Sequence, residues 1–144
     1  METLTLRMER AAESGVKVAD WLARNSPIPC KILHPLHGEN PAERAVYARQ
    51  CSGPGSTFSM VVDSDRKLAF RIVNGLQLFK LAVSLGGTES LVCHPASTTH
   101  SGVSAEARER AGVTEGLIRL SVGLEHPDDL IADLRLALEK AARS

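Results

Sequence analysis

Aromatic residues make up only 3% of this chain, and neither sign of charge prevails, with 17 basic side chains against 17 acidic ones. That balance argues against a nucleic-acid binder, which needs an excess of Lys and Arg to displace counterions from phosphates. The shortage of aromatics leaves no platform on which bases would stack. No apolar run approaches the ~20 residues that cross a bilayer. The first residues include Glu2, Arg7, Glu9 and Arg10 and contain no signal-peptide core. The three cysteines, Cys30, Cys51 and Cys93, are odd in number and irregularly spaced, which does not make a disulfide framework and fits a reducing cytosol. The expectation is a cytoplasmic protein without nucleic-acid or membrane partners.

What is present suits one compact domain: 144 residues, 43% of them apolar, enough for an ordinary core. From Leu4 to Arg24, apolar or small residues at Leu4, Met8, Ala11, Gly15, Val18 and Leu22 recur at helical spacing. Asn25-Ser26-Pro27-Ile28-Pro29 ends that helix. Cys30–His34 reads as a strand, His34–Pro41 as a loop, Ala42–Gln50 as a helix, and Thr57–Val62 as a strand with Phe58 and Met60 on one face. Asp65–Asn74 reads as a helix with Leu68 and Ile72 turned inward, Phe70 a third candidate, and Gly75 closing it in the left-handed conformation. Phe79–Val83, Leu91–Cys93 and Leu117–Val122 are strand candidates, and Ser104 caps a short helical stretch.

The last element has the plainest signal. Pro127, Asp128 and Asp129 suit a helix start, Leu130, Leu134, Ala137, Leu138 and Ala141 form one stripe, and Lys140 and Arg143 suit the negative end. Interleaved strands and helices give an α+β (α/β) domain with helices packed on a small sheet.

Several segments carry polar groups that chemistry could use. Ser84 follows an apolar strand and precedes Gly86-Gly87, so it offers either a serine-capped turn, which composition favours, or a hydroxyl with nearby amides for an anion. Arg119 lies among aliphatics in Leu117-Ile118-Arg119-Leu120-Ser121-Val122; alternation puts Leu117, Arg119 and Ser121 on one face. Such an arginine either snorkels to water or presents its guanidinium fork to a carboxylate. Cys93, His94 and His100, and the pair His34 and His37, lack zinc-ligand spacing, so loop or structural histidines are the simpler reading and no metal site is assigned. No G-x-S-x-G elbow is present, and Gly53-Pro54-Gly55-Ser56 lacks the Lys of a phosphate-binding loop.

Taken in order, Leu81-Ala82-Val83-Ser84-Leu85-Gly86-Gly87-Thr88-Glu89-Ser90-Leu91, His94-Pro95-Ala96-Ser97, Thr99-His100 and Leu117-Ile118-Arg119-Leu120-Ser121-Val122-Gly123-Leu124-Glu125 resemble the C-terminal signature of the Cys/Met-metabolism pyridoxal-phosphate enzymes. The closing Asp128-Asp129-Leu130-Ile131-Ala132-Asp133-Leu134 is similar as well, and Thr98 departs from a common methionine. That family includes cystathionine γ-synthase, cystathionine γ- and β-lyases, methionine γ-lyase and O-acylhomoserine sulfhydrylases.

The resemblance implies the small C-terminal domain of a type I aminotransferase-like fold, a largely antiparallel sheet with helices on one side. Residues 1–144 would form that single domain, with 1–25 the inter-domain helix. It implies that Ser84 and Arg119 hold the substrate α-carboxylate, which reverses the composition-based reading of Ser84, and that Val83 and Leu85 line the substrate pocket. Valine before the serine is frequent in methionine γ-lyases and sulfhydrylases, whereas cystathionine γ-synthases and γ-lyases often carry glutamate there.

The implied cofactor is pyridoxal phosphate, and the implied substrate is a sulfur amino acid or an activated homoserine. The Schiff-base lysine in a Ser-x-Thr-Lys context is missing, because Lys17, Lys31, Lys67, Lys80 and Lys140 all stand in other surroundings. The chain is therefore expected to be a truncated gene product or a proteolytic remnant, inactive alone, whose partners are the missing N-terminal lysine domain and further copies in a homo-oligomer. A stand-alone interaction or small-carboxylate-binding module without catalysis is the alternative.

Overall fold

The computed structural model describes residues 2–63 and 65–143; Met1, Ser64 and Ser144 lie outside the described residues. Five helices and five strands follow the order α1 (Leu4–Asn25), β1 (Lys31–Leu33), α2 (Pro41–Gln50), β2 (Thr57–Val61), α3 (Arg66–Gly75), β3 (Lys80–Leu81), β4 (Leu91–Cys93), α4 (Ala105–Arg110), β5 (Leu117–Ser121) and α5 (Pro127–Ala142) among the described residues, with a single 3-10 turn at Pro95–Ser97. The sheet order is β1-β2-β5-β4-β3. Three of its pairings are antiparallel and the β3–β4 edge pairing is parallel, so the expected α+β class and largely antiparallel sheet are found.

Strand alternation sorts the sheet into two faces. Ile32, Phe58, Met60, Val92, Ile118 and Leu120 point into one core with α1, α3 and α5. The periodic stripes seen in the sequence supply the helical side: Val18 and Leu22 from α1, Ile72 from α3, and Leu130, Leu134, Ala137, Leu138 and Ala141 from α5 are all buried. The α1 stripe is buried only from Ala11 onward, while Leu4 and Met8 remain 42% and 37% exposed. Gly15 is not a flaw in that helix, because its bare Cα lets α1 approach the Gly55-Ser56 turn; a Cβ there would lie 3.3 Å from Ser56 Cα.

Three local expectations are corrected. Gly75 ends α3 but does not adopt a positive φ; only Gly55, Gly86 and Gly112 do so among the described residues. Its bare Cα instead serves a close crossing with α5. Phe70 does not enter the core; it is 38% exposed and sets its ring edge-on to His94 at 5.0 Å. The strand expected over Phe79–Val83 contracts to Lys80–Leu81, with one further ladder bond from Ala82 N–H to the Val92 carbonyl at 3.0 Å. Beyond that point the Val83 carbonyl turns to the Arg119 side chain and is lost to the ladder.

The entry to β3 is fixed from α5. Asp133, nearly buried, accepts the N–H groups of Gln77 at 2.8 Å, Leu78 at 2.9 Å and Phe79 at 3.3 Å. One carboxylate thus satisfies three backbone donors at a chain reversal that has no strand partner.

Candidate functional site

Arg119 sits in the middle of β5, between Ser59 of β2 and Cys93 of β4, on the face of the sheet away from the helices. The residue as a whole is half-buried. The guanidinium Nη2 donates to the Val83 carbonyl at 2.8 Å and to the Ser84 carbonyl at 2.9 Å. The two residues singled out from the sequence therefore meet, although Ser84 touches Arg119 through its backbone and lies in a loop rather than at the end of a long strand.

Among the described residues, neither the Ser84 hydroxyl nor the remaining N–H groups of Arg119 take a partner within the chain. Val83 and Leu85, on either side of Ser84, are 57% and 54% exposed. An exposed loop, one hydroxyl, a guanidinium with free donors and two uncovered aliphatics make a surface suited to a small molecule with a carboxylate and an apolar tail.

The loop from Ala82 to Ser90 is held by residues that follow Arg119 in the chain. Gly86, at φ +70°, donates its N–H to Ser121 Oγ at 2.9 Å, and Thr57 Oγ1 donates to the same oxygen at 3.4 Å. A serine does cap this turn, but it is Ser121 from β5 and not Ser84. Further along, Ser90 N–H donates to Glu125 Oε1 and Ser90 Oγ to Glu125 Oε2, both at 2.8 Å, while Ser90 Oγ accepts Gly123 N–H at 2.9 Å. Leu124 N–H reaches the Thr88 carbonyl at 2.9 Å. Gly123 makes this approach feasible, since a Cβ there would collide with the Thr88 carbonyl and lie 2.6 Å from the Glu89 carbonyl carbon.

Ser121, Ser90, Gly123 and Glu125 were not assigned roles from the sequence. The alternation that put Ser121 on the face of Arg119 was the one available signal; the pairing of the others joins segments far apart in the chain.

The histidines have structural surroundings. His94 is buried, with Nδ1 2.8 Å from Ser97 Oγ and Nε2 2.9 Å from the Glu115 carbonyl. His34 is buried and accepts Leu36 N–H on Nδ1 at 3.2 Å, so its Nε2 carries the proton and has no partner. Its pKa is lowered, first by burial and then by the nearby charge of His37, with Asp20 opposing. His37 Nε2 lies 2.8 Å from Asp20 Oδ1. No group of three His, Cys, Asp or Glu side chains among the described residues converges to hold a metal ion. A cavity of about 790 Å³ lies between β1, the His34–Asn40 loop and α2, and shares no lining residue with the Arg119–Ser84 site. No described helix is long and apolar enough to cross a membrane.

Comparison with known proteins bears on the whole chain. It is 42% identical over 134 residues to cystathionine γ-synthase of Escherichia coli K12, covering 93% of this chain and 34% of that protein. It is 41% identical over 140 residues to L-methionine γ-lyase of Fusobacterium nucleatum subsp. polymorphum, covering 97% of this chain and 35% of the other. A crystal structure of an O-acetylhomoserine (thiol)-lyase from Campylobacter jejuni, which carries a pyridoxyl-modified lysine, superposes with a TM-score of 0.87 at 39% identity over 96% of this chain and 32% of that one. The chain thus spans about a third of the length of these relatives. The family model described as Cys/Met metabolism PLP-dependent enzyme matches residues 1–139, and with the fold and the signature segments in agreement, the chain belongs to that pyridoxal-phosphate-dependent family.

Proposed function

We propose that this chain is the C-terminal, substrate-carboxylate-binding domain of a pyridoxal-phosphate enzyme acting on sulfur amino acids or activated homoserines, with α1 (Leu4–Asn25) within the segment that joins it to the lysine-bearing domain. The observation that carries this reading is the contact of Arg119 Nη2 with the Val83 and Ser84 carbonyls. It anchors one guanidinium nitrogen on the loop and leaves the others, with the Ser84 hydroxyl beside them, for a carboxylate.

The chain's own lysines do not suit the cofactor's aldehyde. Lys17, Lys67 and Lys140 belong to α1, α3 and α5, which pack on the opposite face of the sheet from Arg119. Lys31 Nζ pairs with Glu39 at 3.4 Å, and Lys80 Nζ donates to the Gln77 carbonyl at 3.0 Å. When bound, pyridoxal phosphate supplies an electron sink for carbanions of the amino acid. What this chain contributes is orientation: a carboxylate fixed on Arg119 and Ser84 sets how the amino acid is presented, and Val83 and Leu85 offer apolar surface to its side chain. The lysine-bearing domain, a homo-oligomeric assembly and a cytoplasmic location belong to the same proposal.

The test is Arg119→Ala in the assembled enzyme containing this chain. Once the site is covered, truncating one partner of a desolvated charge pair costs ~2–5 kcal/mol. KM for the amino acid rises accordingly while the cofactor's visible absorbance persists. An unchanged KM overturns the assignment.

A further inference from the structure

Two residues after Arg119 on the same strand face, the Ser121 hydroxyl is almost fully enclosed, with the residue 1% exposed. It is also the only side chain of β5 other than Arg119 that bonds the Val83–Gly87 loop among the described residues. We propose that Ser121 is the positioning residue of the carboxylate site: its hydroxyl fixes Gly86, and through Gly86 it sets where Ser84 stands relative to Arg119. This rests on the carboxylate reading of Arg119 and Ser84, and adds the residue that makes their geometry definite.

Residues 83–89 are exposed and contribute nothing to the core, so hydrophobic burial does not hold this loop. Its conformation depends on a few polar ties at both ends. At the far end, Ser90 is clamped by Glu125 and Gly123. At the near end there are two ties, from Arg119 to the Val83 and Ser84 carbonyls and from Gly86 N–H to Ser121 Oγ.

The Arg119 tie runs through a single nitrogen, Nη2, at the end of a long side chain whose other donors face the ligand, so it moves whenever the guanidinium adjusts to a carboxylate. The Ser121 tie involves no group that a ligand would use. It fastens Gly86 at φ +70°, a conformation in which other L-residues are strained, and so fixes the sharp turn two residues beyond Ser84. Ser121 Oγ is itself aimed by two neighbours: it accepts both Gly86 N–H and the hydroxyl proton of Thr57. Its own O–H is then left to rotate to a further acceptor. A rigid strand thereby holds a loop that would otherwise sample many conformations, and preorganisation of this kind appears as affinity.

The experiment uses the 144-residue chain labelled with ¹⁵N, as wild type and Ser121→Ala. Hydrogen exchange at the Gly86 amide, the Arg119 Nε–H resonance, and titrations with L-methionine and with L-methioninol, which lacks the carboxylate, are followed by NMR. In the wild type the Gly86 amide is protected although its residue is exposed, and methionine binds better than methioninol. In Ser121→Ala, Gly86 exchange rises at least about tenfold, the Arg119 Nε–H signal shifts, and methionine binding weakens by about fivefold to tenfold, the effect of one hydrogen bond. Methioninol binding and the core amides of Leu134 and Leu138 stay as they were, which a general loosening of the fold would not allow.

A variant with unaltered Gly86 exchange and unaltered preference for methionine overturns the role of Ser121. A wild type that does not distinguish methionine from methioninol overturns instead the carboxylate reading on which that role depends. Should Ser121→Ala not fold, the wild-type Gly86 amide still decides: exchange at the rate of an open loop sinks the proposal.

Discussion

Gly75, the last residue of α3, lies against Ala137 of α5 so closely that a methyl on the glycine would stand 3.2 Å from the alanine Cβ and 3.3 Å from its Cα. The two helices cross at this point, and both carry the apolar faces that cover the sheet. Gly75→Ala gains helix propensity but forces the crossing apart by a few tenths of an ångström. Overpacking in a well-packed region costs ~1–3 kcal/mol, whereas the propensity gain at a helix end is under ~1 kcal/mol. The expected outcome is a net loss of stability, read as a lower urea midpoint at unchanged slope. Adding Ala137→Gly to the same chain restores only part of it, since the new methyl still presses on the α5 backbone at that position.

Asp133 gives a second prediction. Its two oxygens take three N–H groups, from Gln77, Leu78 and Phe79, and Phe79 is buried. Asp133→Ala leaves the Phe79 N–H of a buried residue without this acceptor, at a cost of ~1–3 kcal/mol for such a group, while the N–H groups of the exposed Gln77 and Leu78 can turn to water. Asp133→Asn keeps one acceptor oxygen but turns an NH₂ towards backbone N–H donors, so it is expected to destabilise nearly as much. Urea unfolding of the two variants against wild type checks this, and an Asn variant of wild-type stability would refute the three-donor account.

The parts of this fold that could be read from the sequence are those set by local periodicity. The α5 stripe, the α1 stripe from Ala11 onward, the inward faces of β2 and β5, the cap at Ser104 and the start of α5 at Pro127 depend on near neighbours in the chain or on strict alternation, and the structure has them. Arg119 and Ser84, both singled out from the sequence, meet through the Ser84 backbone carbonyl.

What was misread depends on partners far along the chain. A glycine at a helix end reads as a left-handed cap by default, and nothing local to Gly75 reveals Ala137. The early end of β3 follows from a guanidinium claiming the Val83 carbonyl. Likewise, the hydroxyl that caps the glycine turn comes from Ser121, where the neighbouring Ser84 was the local candidate. One sequence carries spacing, but not which distant groups meet.

Glu115 joins three segments and makes the next prediction. Its Oε2 accepts Arg66 Nε at 2.6 Å, and its Oε1 accepts Arg66 Nη2 at 3.3 Å and Arg108 Nη2 at 3.1 Å. The hydrogen bonds from Arg66, chiefly, hold its carboxyl below the ordinary glutamate value; burial opposes this, and the charges of Arg66, Arg108 and His94 add to it. Because the folded pKa is depressed, the unfolded chain binds the proton more readily. The contribution to stability is complete above the ordinary glutamate pKa and is lost as pH falls below it through the folded value. With the side chain 34% exposed, solvent screens the pair and the contribution is modest. Glu115→Gln is expected to remove this part of the acid slope and to make stability less sensitive to salt. Denaturation at several pH values and ionic strengths checks both.

His34 titrates in a higher window and in the opposite charge sense, yet with the same direction of effect. The residue is 4% exposed, its Nδ1 accepts Leu36 N–H, and its ring meets Phe58 edge-on at 5.6 Å. Protonation would place a cation in this enclosed position beside His37 and make Nδ1 give up its backbone donor. Burial and His37 therefore push the pKa down, and Asp20, which reaches the cluster from α1 and bonds His37, only partly offsets them. In the unfolded chain the imidazole takes its proton near its ordinary value, so the folded state loses stability as pH falls from that value towards the depressed one, and no further below it. The His34–Asn40 loop is expected to loosen over the same range, seen as faster exchange of the Leu36 amide. His34→Asn keeps an acceptor for Leu36 N–H and has no proton to gain, so its stability should stay level across this window. Asp20→Asn removes the one offsetting charge and should lower the His34 pKa further. NMR titration of the His34 ring protons in wild type and Asp20→Asn decides the matter: a wild-type value at or above that of an exposed histidine would contradict the account.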